Sequence, residues 1–361
     1  MAYTIIDDPS AYFQTLLYTG NASLTALTND GNSDLQPDLI WVKARANLGG
    51  YFDAIQDTSR GIDKILSVSQ TATELDTSEQ IKSVQSDGFT VGDNSDSNNY
   101  VNLDTYTYVA WQWKANGGTT SSNTNGTITS TVQANTTAGF SIVTYDGTGS
   151  SGATFGHGLG TVPNFIIIKN RSEVKDWAVY HGANTSAPET DALFLNLTDA
   201  TIDNAGYWND TAPTSSIITL GDNTKVNSSG EQHVAYCFTE KQGYSKFGSY
   251  VGNGSEPEGP FIYTGFKPAW FMVHASSESG QAWFIGDSKR DPDNVAVAKL
   301  AANTSSVESA VVGDNNWDFL SNGFKIRTQD DGMNKSGITF LYMAFAEHPF
   351  VSSEGVPTTA R

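Results

Sequence analysis

The chain has 361 residues, a formal net charge of −19 and a single cysteine, Cys237. That length exceeds what one ordinary hydrophobic core organises and implies two or three domains. The acidity excludes the electrostatic attraction behind non-specific nucleic-acid or anionic-membrane binding, so neither is expected as a partner. One cysteine excludes an internal disulfide.

The 18 Phe, 15 Tyr and 8 Trp, set among 34 Gly and many Asn, Ser, Thr and Asp residues, predict many short strands and few helices. Charged residues make up 16%, too few for a Lys/Glu-rich helical surface. Cys237 lies in an apolar run and reads as a small buried hydrophobe. Met1 to Asp8 has neither the basic nor the apolar region of a signal peptide, which points to synthesis in a cytoplasm. No apolar run approaches the roughly 18 residues of a membrane span.

In chain order, residues 1–11 form a polar arm, either disordered or docked on a partner. A first repeat covers 12–116. Its imperfectly alternating segment Phe13 to Tyr18 ends in the turn Thr19-Gly20-Asn21. Pro37 then opens the run Leu39-Ile40-Trp41-Val42, which Lys43 and Arg45 close. Four consecutive large apolar residues predict a strand buried on both faces. Residues 62–82 are the least β-like part and are expected to hold a short helical turn. Ser86 to Gly92 reads as turn and strand, and Val109, Trp111 and Trp113 alternate along the closing strand.

Residues 117–138 read as a linker and lead-in strand, flexible from about 116 to 126 because polar Gly/Ser/Asn sequence buries little. The second repeat, 139–243, restores the order: Phe140 to Tyr145, then Pro163 with Phe165 to Ile168, Lys169 and Arg171. Trp177 follows in the place of Phe52, and Ser215 to Gly221 in the place of the Phe89 segment. His233 to Glu240 closes the repeat. The third repeat, 244–350, has Tyr244 to Tyr250, then Pro268 with Trp270 to Val273 and His274. Trp283, Ser321-x-Gly323-Phe324 and Phe340 to Glu347 complete it. Pro163 and Pro268 each fall 18 residues after a tyrosine (145 to 163, 250 to 268), and Pro37 falls 19 after Tyr18. A polar tail, 351–361, ends the chain. Repeats of this size are whole domains, so the expected fold is all-β: three tandem antiparallel β-sandwiches of jelly-roll or concanavalin-like type. Trp41, Trp113, Trp177, Trp270, Trp283 and Trp317 are expected in the cores.

No catalytic constellation stands out, so no catalytic residue or cofactor is assigned. The five histidines have no metal-binding spacing. His233 and His274 lie in predicted strands and read as structural. His157, in the glycine-rich stretch Phe155 to Gly160, is the most exposed-looking and is a candidate ligand contact; a hairpin ahead of the Pro163 strand is the plainer reading. Asp57-x-x-Arg60 and Asp287-x-x-Arg290 recur in repeats 1 and 3 as loop-fixing pairs, while repeat 2 has His181 nearby. Asp93 and Asp96, Asp291 and Asp293, and Asp314 lie on polar loops whose hard oxygen ligands would suit Ca²⁺, with a solvated turn as the plainer reading.

The chain resembles a group of tailed-bacteriophage proteins, marine ones above all, to which no chemistry is assigned. The resemblance rests on Tyr18 to Asn21, Pro37 to Arg45, Ser86 to Gly92 and Tyr108 to Trp113. It continues through Gly156 to Gly160, Pro163 to Arg171, Tyr244 to Gly254 with Gly259-Pro260-Phe261, and Phe319 to Arg327. It implies a virion structural protein with lectin-like sandwich domains, on a tail fibre or the capsid exterior. The expectation is therefore a non-enzymatic virion surface protein, made in the host cytoplasm and displayed on the particle. Its partners would be other virion proteins and host surface glycans. By analogy with fibres, it would be a homo-oligomer, with a trimer favoured. The alternatives are a carbohydrate-binding lectin or adhesin, and a polysaccharide-degrading tail spike.

Overall fold

The computed structural model describes residues 3–46, 53–77, 79–93, 95, 101–310 and 316–357. Nearly all of their secondary structure is strand. Two single-turn α-helices, Thr224–Asn227 and Asp331–Asn334, are capped by the side chains of Asn223 and Asp330.

Each repeat builds the same large antiparallel sheet. In repeat 1 the spatial order is Phe13–Thr19, Thr107–Trp113, Leu39–Ala44, Ala54–Asp57, Gly61–Leu66. In repeat 2 it is Phe140–Asp146, Gln232–Phe238, Phe165–Asn170, Ala178–His181, Asp191–Phe194. In repeat 3 it is Ser245–Val251, Thr339–Pro349, Phe266–Ala275, Phe284–Asp287, Leu300–Ala301. A smaller sheet, built on Gly88–Val91, Ile217–Leu220 or Gly323–Ile326, covers one face of each. Between the two layers lies each repeat's own core. Ile40, Val42 and Phe89 belong to the first, Ile166, Ile168 and Ile218 to the second, and Phe271, Val273 and Phe324 to the third. The all-β sandwich expectation holds.

The other face of each large sheet is buried too. Leu39, Trp41 and Trp113, Phe165, Ile167 and Phe238, and Trp270, Met272 and Phe345 all belong to one cluster that spans the three repeats. The four-residue apolar runs are thereby explained: alternate side chains serve a repeat's own core and the shared one. The register pairs Leu39 with Trp113, Phe165 with Phe238 and Trp270 with Phe345, which makes these positions equivalent. The rings of Trp113, Phe238 and Phe345 close a triangle, with centroids 6.4, 5.7 and 5.9 Å apart. Each such pair is worth about 0.5–1.5 kcal/mol beyond its buried area. The triangle marks a pseudo-threefold axis, so the three sandwiches stand around a common core rather than in a row. All six tryptophans predicted to be internal are buried.

The tyrosine–glycine motif builds a matching corner in every repeat. The hydroxyls of Tyr18, Tyr145 and Tyr250 donate to the carbonyls of Val101 (2.6 Å), Val226 (2.7 Å) and Met333 (2.7 Å). Two residues on, Gly20, Gly147 and Gly252 press against the carbonyls of Leu103, Ser228 and Lys335, where a Cβ would collide. The next amides, of Asn21, Thr148 and Asn253, donate to Oδ1 of the buried Asn102, Asn227 and Asn334 at 3.0, 2.8 and 2.9 Å.

Several local expectations are corrected. Among the described residues of 62–82 there is no helical turn: Gly61–Leu66, Leu75–Asp76 and Ile81–Gln85 are strands, because Ile65, Leu66 and Ile81 have cores to enter. The linker is ordered where it was expected to be flexible. The amides of Gly117 and Gly118 donate to Asp38 at 2.9 and 2.8 Å, and Ser121–Asn123 and Ser130–Asn135 extend the sheet of repeat 2. The N-terminal arm docks on its own chain. Tyr3 donates through its hydroxyl to the carbonyl of Gly265 at 2.8 Å, and Thr4 to that of Gln242 at 2.9 Å. The tail meets the arm where the Ser353 amide donates to Asp7 at 2.6 Å. Val42 faces Ala54 and Ile168 faces Ala178, so Trp177 corresponds to Asp53; Phe52 lies outside the described residues.

Candidate functional site

The strongest concentration of polar chemistry lies at the three seams between repeats. Asp57, His181 and Asp287 hold equivalent positions, opposite Leu39, Phe165 and Trp270. Oδ2 of Asp57 accepts from the hydroxyl of Tyr236 at 2.7 Å and from Nε of Arg60 at 2.5 Å. Oδ2 of Asp287 accepts from Nε1 of Trp111 at 3.1 Å and from Nε of Arg290 at 2.5 Å. Tyr236 and Trp111 come from the neighbouring repeat, whereas Arg60 and Arg290 belong to the same repeat as the carboxylate they bond. Tyr236 and Trp111 are equivalent to Met343, which has no donor. At that third seam the carboxylate is replaced by His181, whose Nε2 sits 3.1 Å from the backbone carbonyl of Tyr342. The Asp–Arg pair is thus missing at the seam where the neighbouring repeat offers no side-chain donor.

A further layer spans the same seams. Arg60 donates to Glu74 at 2.7 Å, and Arg171 of repeat 2 grips Glu74 with Nε and Nη2 at 2.9 and 2.6 Å. Arg290 donates to Glu308 at 3.0 Å, and Arg45 of repeat 1 grips Glu308 at 3.0 and 2.9 Å. These fork-like pairs are the strong class of charge-assisted bond. Beneath them runs a backbone bond common to all three seams. The amides of Glu74, Glu308 and Thr201 donate to the carbonyls of Arg171 (2.8 Å), Arg45 (3.0 Å) and Ser276 (2.8 Å).

The basic residues closing the apolar runs reach across as well. Nζ of Lys43 donates to the carbonyl of Thr304 at 2.5 Å, and Nζ of Lys169 to that of Thr71 at 3.0 Å. Nε2 of His274 lies 3.1 Å from the carbonyl of Asp199. Burial pushes the Lys169 amine down to about 8. Burial also opposes the charge on Arg60, but Asp57, Tyr236 and Glu74 outweigh it and hold the guanidinium above its ordinary range. Burial pulls the Glu308 carboxyl upward; Arg45 and Arg290 more than offset that and leave it below its ordinary value.

Among the described residues, the loop residues singled out from sequence do not converge. His157 is buried, not exposed. Its Nε2 lies 3.2 Å from the carbonyl of Thr214, and burial drops its pKa to about 4. Asp93 is exposed and accepts from the Ser95 amide at 3.3 Å, as an ordinary turn residue does. Asp96 and Asp314 lie outside the described residues. Asp291 accepts from the amides of Val297 (2.5 Å) and Ala298 (3.1 Å), which shapes its loop, and Asp293 faces solvent. Among the described residues no three His, Cys, Asp or Glu side chains gather as metal ligands. Cys237 is buried, and burial pushes its thiol up to about 12.

Binding-sized recesses occur at the seams. Between repeats 2 and 3 a recess of about 280 Å³ is lined by Tyr3, Glu240, Gln242, Lys246, Tyr263 and Thr264. Next to it the outer strand Phe261–Tyr263 turns both aromatic rings outward, 47% and 52% exposed, while Ile262 between them is buried. Between repeats 3 and 1 a groove of about 320 Å³ is lined by Gln14, Thr15, Asp30, Ser288, Lys289 and Glu347, among others. Exposed rings beside hydroxyl, amide and charged groups suit a polar ring-shaped ligand, held by stacking and hydrogen bonds. The signal for these recesses is weak in the sequence, because each is assembled from distant segments.

Residues 8–349 match a family model described as a domain of unknown function (DUF7483), so the chain belongs to that family. No curated protein and no solved structure is significantly similar to it.

Proposed function

We propose that this member of the DUF7483 family is a non-enzymatic virion surface protein of a bacteriophage, on a tail fibre or the capsid exterior, where it helps build the particle and contacts the host surface. One observation supports a scaffold above all: the buried ionisable groups at the seams are taken up in joining repeats. Asp57, Arg60, Glu74, Asp287, Arg290 and Glu308 all bond across a seam or hold a group that does. The resemblance to tailed-phage proteins supplies the particle. The three-fold body that a fibre takes from three chains is supplied here by one, so a trimer is not required to make it. Mass spectrometry of purified particles, followed by electron microscopy with an antibody to this chain, tests the reading. Stoichiometric presence on the particle surface is expected. Its absence from washed particles, with the protein left in the soluble lysate, would overturn the proposal.

A second reading has its own support. The exposed rings of Phe261 and Tyr263 beside the recess with Glu240, Gln242 and Lys246 fit a saccharide-binding surface. On a glycan array, binding that Tyr263→Ala reduces at least about tenfold would support a lectin role. No binding to any host polysaccharide would remove it.

A further inference from the structure

We propose that the groove between repeats 3 and 1 is a docking site for an extended, uncharged polar segment of a partner polypeptide, which adds a strand to the free edge of Phe13–Thr19. The proposal is independent of where the protein resides.

The first strand of every repeat lies at the same place in its sheet, next to the seam with the preceding repeat. In repeat 2 that place already holds an extra strand. Ser130–Asn135 pairs antiparallel with Phe140–Asp146, from Thr131 opposite Thr144 to Asn135 opposite Phe140. Its Gln133, fully buried, plugs the seam between repeats 1 and 2. Oε1 accepts from the amides of Asn116 and Gly118 at 3.0 and 2.9 Å, and Nε2 donates to Thr58 and Ser59 at 2.9 and 2.8 Å.

The groove between repeats 3 and 1 is an equivalent seam with no such strand; the edge of Ser245–Val251 in repeat 3 likewise has none among the described residues. Asp57 and Asp287 are equivalent, so Ser288 and Lys289 on its wall occupy the places of Thr58 and Ser59. Phe13 faces Trp113 and Phe140 faces Phe238, so Thr15 corresponds to Ile142, the residue opposite Gln133. Phe13–Thr19 is the terminal strand of its sheet, and no strand among the described residues pairs with its outer edge. Such an edge presents backbone donors and acceptors ready for strand addition.

Two observations define the occupant. Thr15 is 9% exposed, lines the groove, and its Oγ1 has no hydrogen-bond partner. An incoming side chain at the place of Gln133 would supply one. The charges on the groove walls are already matched. Lys289 pairs with Asp30 at 2.6 Å, and Glu347 accepts from Lys267 at 2.6 Å and Ser288 at 2.9 Å. A charged occupant would find no free counter-charge there, so the segment is polar and uncharged, like Ser-Thr-Val-Gln-Ala-Asn at 130–135.

The test uses the full chain and a synthetic peptide spelling residues 128–136. Hydrogen exchange followed by mass spectrometry should show several-fold slower exchange of the Phe13–Thr19 amides at saturating peptide. Lys289→Trp, a change at a half-exposed side chain that leaves the core intact, should abolish the effect. A peptide carrying Gln133→Ala should bind about tenfold more weakly. Unchanged exchange at Phe13–Thr19 with millimolar wild-type peptide would overturn the proposal. So would concentration-dependent dimers that Lys289→Trp dissolves, since the occupant would then be a second copy of this chain.

Discussion

The hydroxyl of Tyr236 donates to Oδ2 of Asp57 across the seam between repeats 2 and 1, at 2.7 Å. The same carboxylate oxygen receives Nε of Arg60 at 2.5 Å, and both side chains of this ion pair are fully buried. Removing one member of a buried, satisfied pair leaves the other unpaired, which costs more than losing a neutral hydrogen bond. Tyr236→Phe should therefore destabilise the protein by about 1–2 kcal/mol. Asp57→Ala should cost about 3–5 kcal/mol, because the fully buried Arg60 stays charged and keeps only Glu74 as a counter-charge. Urea unfolding of both variants checks the ordering; equal losses would contradict it.

The third seam gives a sharper test. Asp stands at this position in repeats 1 and 3, yet His181→Asp should destabilise the chain by at least about 2 kcal/mol. The new carboxylate would face Met343, which offers no donor, and the carbonyl of Tyr342, which repels it. A neutral result in thermal denaturation would remove the explanation given for the missing Asp–Arg pair.

Acid should unfold the protein early. Burial lowers the pKa of His157, His181, His233 and His274 from 6.5 to about 4. Between those values the unfolded chain takes up protons and the native one does not, so stability falls as pH drops from 6.5 to about 4. At roughly 1.36 kcal/mol per decade, each histidine contributes on the order of 3 kcal/mol to the loss. Glu308 acts in the same direction at lower pH, since its native pKa lies below the ordinary 4.5. Lys169 works in another window. The native amine releases its proton near 8 and the unfolded one near 10.5, so this residue adds stability as pH rises between them. Urea midpoints measured across the acid range should fall steeply toward pH 4; a flat profile would contradict this account.

The three corner glycines should respond alike. Gly20→Ala, Gly147→Ala and Gly252→Ala each drive a Cβ into a backbone carbonyl that cannot retreat without breaking its corner. A loss of about 2 kcal/mol or more is expected for each, measured by denaturant unfolding.

Cys237 should be silent in the native state. A buried thiol pushed up to about 12 supplies almost no thiolate. A thiol reagent such as Ellman's should label it only after denaturation, and fast labelling of folded protein would show that the strand Gln232–Phe238 opens.

Much of the fold was legible because the repeated apolar run forces a repeated strand. Leu39 to Val42, Phe165 to Ile168 and Trp270 to Val273 announced strands buried on both faces. What they could not announce was the occupant of the second face. Alternation shows that Trp111 needs burial, not that Trp270 from a distant repeat provides it. His157 misled for a related reason: flanking glycines suggest an open loop, whereas here Gly156 and Gly158 press against Asn123 and Val132 and the imidazole is buried. The Asp–Arg pairs were visible, but Tyr236 and Trp111, their partners from other repeats, were not.

The tripled architecture has one more implication, for how such a molecule changes over time. In an assembly of three identical chains every substitution appears three times, so a residue and its neighbour's partner must suit all seams at once. One continuous chain is released from that constraint. The seams already differ: Asp57 meets Tyr236, Asp287 meets Trp111, and His181 meets the backbone beside Met343. A body built on near-threefold geometry is thereby free to keep two faces conservative while the third acquires its own specialisation.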